Sequence, residues 1–86
     1  MFHISFEVSL EHRNVAQGRF LETGAMPPDG VTMLGRWHAA SGRLGYLIAE
    51  SDDLSAVARW TQQWTDLLTF EVEPVLEDEP FAAVLR

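Results

Sequence analysis

The chain has no cysteine, which excludes disulfides and thiolate metal sites. It has no lysine either: six arginines stand against thirteen acidic residues, for a formal charge of −7 at pH 7. Phosphate backbones are held by Lys and Arg, so neither nucleic acid nor an anionic membrane surface is an expected partner, and the acidity serves solubility. No run approaches the roughly 18 apolar residues of a membrane span. The opening MFHISFEVSLEH lacks the basic stretch and small-residue cleavage site of a signal peptide, so a cytoplasmic protein is expected. HxH and HExxH pairs, a glycine-rich phosphate loop and a serine elbow are also missing. Neither a metal nor a cofactor is therefore expected.

What is present fits a single domain over residues 1–86, small enough that its core is thin and extra burial has to come from elsewhere. Its centre is Val31 to Ser51, VTMLGRWHAASGRLGYLIAES. Two strands, near 31–38 and 43–51, are joined here by a turn in which Gly42 is free to take positive φ. In the second strand Leu44, Tyr46 and Ile48 fall on one face, and Gly45, Leu47 and Ala49 on the other. Both faces are apolar, so both need a cover.

The flanking segments supply the rest. Phe2 to Val8 alternates as a half-buried strand, with Phe2, Ile4, Phe6 and Val8 opposite His3, Ser5 and Glu7. A helix over about 13–22, capped by Ser9 or Asn14, carries an apolar edge through Val15, Ala16, Arg19, Phe20 and Thr23, and Gly24 ends it. Asp53 opens a second helix, to about Leu67, with the stripe Val57, Trp60, Trp64, Leu67 and Leu68. Its two tryptophans serve either as core or as a stacking platform, and core is expected because the helix has a sheet to cover. A fourth strand spans about 69–77, with Pro74 marking a sheet edge. Pro80 then opens a last helical turn, Phe81 to Leu85.

The order β-α-β-β-α-β defines a ferredoxin-like α+β domain: a four-stranded antiparallel sheet, first and third strands central, both helices on one face. The other face meets water or a second copy. A homodimer joined through it is expected, with Leu47 and Ala49 among the residues it covers and with 75–85 crossing to the partner or covering a sheet edge.

The run FLETG, then PPDGV, LGRWHA, the helix with W...QWTDLL and the ending FEVEPVLEDE resemble a family of small bacterial proteins. That family is catalogued as a domain of unknown function (number 3303) and is similar to the dimeric α/β-barrel superfamily. The resemblance spans nearly the whole chain and implies the fold and dimerisation. It carries over no catalytic residue. The superfamily includes cofactor-free monooxygenases, haem-degrading enzymes and stress-induced proteins, so the fold alone does not fix a function.

Candidate chemistry centres on Arg36-Trp37-His38. Arg36 and His38 share a face, and Trp37 lies opposite, where it is expected in the core. Arg36 has the planar fork to hold a carboxylate, and His38 an imidazole that can act as acid or base. The alternative is that Arg36 pairs with an acidic residue across the sheet or dimer and His38 hydrogen-bonds near the turn. His3, Ser5 and Glu7 form a second polar row on a central strand, where polar groups need partners. The candidate ligand site or polar seam is thus His3, Glu7, Arg36, His38 and Tyr46, while His12 is expected to be exposed. Two function classes fit. One is a small-molecule binder or cofactor-independent enzyme with a pocket between sheet and helices near Trp37, His38, Tyr46 and Trp60. The other is a non-enzymatic homodimer acting through association.

Overall fold

Alternating side chains build β1 (Phe2–Val8), and the computed structural model, which describes residues 1–86, continues with α1 (Arg13–Thr23), β2 (Thr32–His38), β3 (Leu44–Glu50), α2 (Leu54–Gln62), β4 (Leu68–Pro74) and α3 (Asp78–Leu85). The strands form one sheet in the order β2-β3-β1-β4, and every neighbouring pair is antiparallel. This is the ferredoxin-like α+β arrangement, with β1 and β3 central. Ile4, Leu47 and Ala49 of the sheet pack with Ala56, Val57 and Trp60 of α2 in one core.

Local chemistry explains most of the boundaries. Asp53 caps α2 by accepting the Ser55 N–H at 2.9 Å. The helix stops at Gln62, short of the expected Leu67, because the following residues tighten into three-residue bonds, Trp64 N–H to Thr61 and Leu67 N–H to Trp64. That tighter winding keeps Trp64 against the core and hands the chain to β4. Neither Ser9 nor Asn14 caps α1. His12 occupies the capping position without a side-chain cap, and Ser9 Oγ lies 3.0 Å from its Nδ1 instead. Val15, expected on the apolar edge of α1, is exposed, because the helix rests on the sheet along Ala16 and Phe20. β4 ends at Pro74 rather than Glu77, since proline offers no N–H to the ladder; the next N–H, of Val75, reaches the Met1 carbonyl at 2.9 Å. α3 starts at Asp78, with Pro80 third in the helix, where the missing N–H has no helical partner to lose.

Two expectations about faces are corrected. Leu47 and Ala49 are buried beneath the helices, not on the face left for a partner. Trp37 is 59% exposed and outside the core. The alternation along β2 holds, but its faces are inverted. The register shifts between Met33 and Gly35, so Met33, Arg36 and His38 all lie on the helix side and Trp37 on the open one, opposite Tyr46. Arg36 and His38 are tolerated there because both find partners on α1 or at its end.

Candidate functional site

Gly24 ends α1 at φ 72° and Ala25 follows at φ 45°. Their carbonyls are left without helical donors, and Arg36 supplies them. Its two terminal nitrogens donate to the Gly24 and Ala25 carbonyls, each at 2.8 Å, while the guanidinium lies 5.0 Å from the centre of the Phe20 ring. A cation at the negative end of a helix also complements its dipole. Burial lowers the Arg36 guanidinium from its ordinary value, although an arginine keeps its charge in a protein. So Arg36 pairs with no acidic side chain of its own chain; it ties the end of α1 to β2.

His38, two residues on, stands against two rings. Phe20 stacks on it with centroids 5.2 Å apart, and Phe6 meets it edge-on at 6.0 Å. Gly45 is the neighbour of both His38 and Phe6 in the sheet. Its missing side chain is what admits the Phe6 ring: a Cβ there would overlap it. Phe70 completes the aromatic group, 6.2 Å from Phe6.

Behind these rings lies a cavity of about 100 Å³ between the sheet and the two helices. Ile4, Leu47 and Leu68 floor it, and Ala16, Trp60 and Trp64 roof it. Among its exposed lining residues, His38, Arg43 and Gln17 mark the mouth. Arg43 is engaged, its Nε donating to the Val8 carbonyl at 3.3 Å. Arg19 lies 5.0 Å over the Trp64 ring and pairs with Asp66 at 3.0 and 2.6 Å. The hydrogen bonds of that pair raise the arginine and hold the Asp66 carboxyl below its ordinary 3.8.

The five candidate residues do not form one site. Arg36 and His38 are on the helix side, beside the cavity. His3, Glu7 and Tyr46 are on the opposite face, where the His3 and Tyr46 rings stack at 6.2 Å. Of the pocket expected near Trp37, His38, Tyr46 and Trp60, only His38 and Trp60 line the cavity. Phe6, Phe20 and Phe70 belong to it without having been anticipated. The signal was Gly45: a glycine inside an apolar strand marks a close approach, here of Phe6. No group of three His, Asp or Glu side chains converges as a metal site, and no helix is long and apolar enough to cross a membrane.

Fold and site together define a ferredoxin-like α+β domain with a small aromatic-lined cavity on its helix side. The chain belongs to the family described as a domain of unknown function, DUF3303, whose model matches residues 1–86. Among solved structures it is similar to a candidate antibiotic biosynthesis monooxygenase from Deinococcus radiodurans. The two share 16% identity over 88% of this chain and 91% of that one, with a TM-score of 0.47. No curated protein matches the sequence.

Proposed function

We propose that this domain binds a small, largely apolar molecule between its sheet and helices, with His38 as the polar group that meets it. The observation carrying this reading is the aromatic-lined cavity beside His38. An apolar cavity of about 150 Å³ takes up benzene. One of about 100 Å³ that opens to solvent accommodates one ring or a short branched alkyl group, with the rest of the ligand at the mouth. An imidazole there offers a ring N–H donor and an acceptor nitrogen, so it suits a ring bearing a hydroxyl or carboxyl. Titration with phenol and indole, followed by Trp60 and Trp64 fluorescence, tests the reading. Saturable binding is expected. Ala16→Leu, which fills the cavity, should abolish it, and His38→Ala should weaken phenol by about fivefold, the worth of one hydrogen bond. Equal response of the wild type and the filled variant would end this reading.

The second element of the proposal is that the domain works as a homodimer joined through its open sheet face. Trp37, Tyr46 and Leu44 there are 59%, 42% and 40% exposed, an apolar patch of the kind that marks association. Burial of such surface is worth about 25 cal/mol per Å². A melting temperature that rises with protein concentration is expected, as mass action requires of a dimer. One that stays fixed over a hundredfold range would contradict it.

A further inference from the structure

α3 ends the described chain with its apolar side exposed. None of its residues is buried. Phe81, Val84 and Leu85 lie along one side at helical spacing and are 53%, 69% and 73% exposed. Eight residues are too few for an isolated helix to hold in water. The chain is correspondingly drawn out: its longest dimension is 48 Å and its radius of gyration 14.2 Å, against about 12 Å for a compact chain of this length.

The open face of the same chain offers no ready cover. It is divided lengthwise: β1 and β4, nearest α3, present His3, Glu7, Glu71 and Glu73, whereas the apolar half lies on β3 and β2. On β2, Leu34 is 52% exposed, and the Trp37 ring folds back over Gly35, 2.6 Å from where a Cβ would stand. Leu34, the bulged residue, and Trp37 are thus the exposed large apolar side chains of the far edge strand, about 14 Å from β4 across three strand spacings.

We infer that α3 is an exchanged arm: in a pair of chains, its stripe of Phe81, Val84 and Leu85 packs on Leu34 and Trp37 of the second copy. The inference rests on the homodimer proposed above. Two sheets can face each other about a two-fold axis that runs either along the strands or across them. Across the strands, β4 lies on its own copy, and Glu71 and Glu73 meet the same residues, a like-charge juxtaposition that costs affinity. Along the strands, β4 of one chain lies over β2 of the other. Strand ends also stay level. Pro74 is level with Phe2, Ala49 and Met33, so α3 leaves β4 beside the second copy's Leu34. The Val75 N–H bonded to the Met1 carbonyl fixes that exit. Each arm then covers the other chain's Leu34 and Trp37, a self-complementary arrangement.

The absence of cysteine makes a direct test available. Leu34→Cys and Val84→Cys, each at an exposed position, are prepared as single variants, one lengthened by a tag, then mixed, equilibrated and oxidised. A disulfide product containing one chain of each kind, in excess over either like pair, is the expected result. Dimers by sedimentation that yield only like pairs, or no covalent product, would overturn the exchanged arm and leave the homodimer standing. A monomer by sedimentation would overturn both.

Discussion

Trp60 and Trp37 lie on opposite sides of one sheet and show how differently its two faces are used. Trp60 is 4% exposed, packed with Ile4, Leu47 and Val57 in the core. Trp37 is 59% exposed, with its ring over Gly35 of its own strand. The covered face is mainly apolar, admits Arg36 and His38 where α1 and the residues that end it give them partners, and leaves its free space as a cavity. The open face is half aromatic and half acidic, with no helix over either half. The same residue type thus serves folding on one side and remains available for association on the other.

Truncating the two tryptophans separates these uses most strongly. Trp60→Ala should cost about 3–5 kcal/mol of stability, the usual range for removing a buried aromatic, and the cost should not depend on protein concentration. Trp37→Ala should cost within about 0.5 kcal/mol when the chains are dilute and progressively more as concentration rises. Urea unfolding at two concentrations measures both. The next largest effect belongs to Arg36. Its replacement by Leu leaves two carbonyls at the end of α1 without donors and should cost about 1.5–3 kcal/mol, the worth of charge-assisted hydrogen bonds. Accelerated amide exchange in the last turn of α1 would accompany that loss. Gly45→Ala should cost about 1–3 kcal/mol by overpacking against Phe6, with phenol binding lost as the ring swings into the cavity. Phe6→Leu in the same chain should return much of the stability.

Arg19 and Asp66 give the smallest effect, and its sign follows from the lowered carboxyl. A group whose folded pKa lies below its unfolded value contributes stability that is complete above the unfolded value and disappears as pH falls through the folded one. The pair therefore stabilises the wild type above the ordinary aspartate value of 3.8 and adds nothing once Asp66 is protonated. Asp66→Asn should be slightly less stable than wild type at pH 7, with the two unfolding curves converging on acidification. The pair is largely exposed, so added salt should narrow the gap as well.

The element order was legible because each strand and helix carries its own period. Phe2 to Val8 alternates, and Val57, Trp60 and Trp64 recur at three and four. Pro74 announced an edge strand, and Gly24 announced the end of α1. The assignment of faces on β2 was less accessible. Alternation says that Trp37 opposes Arg36 and His38, but not which of them meets the helices, and size alone favours burying tryptophan. What decides it is the extra residue at Leu34 and two carbonyls just past the end of α1, twelve and eleven residues away in sequence, that need a donor. The cavity was equally hidden, since Phe6, Phe20 and Phe70 come together only through the fold.

The central claim is that the helix-covered face holds one chain together while the open face holds two. Sedimentation equilibrium of the wild type at micromolar concentration, beside Tyr46→Asp, tests it most directly. The wild type should sediment at about twice its 9.7 kDa chain mass, and Tyr46→Asp should give the single-chain mass with the folded circular dichroism spectrum retained. A wild type at 9.7 kDa, cooperatively folded with Trp37 and Tyr46 in water, would contradict it.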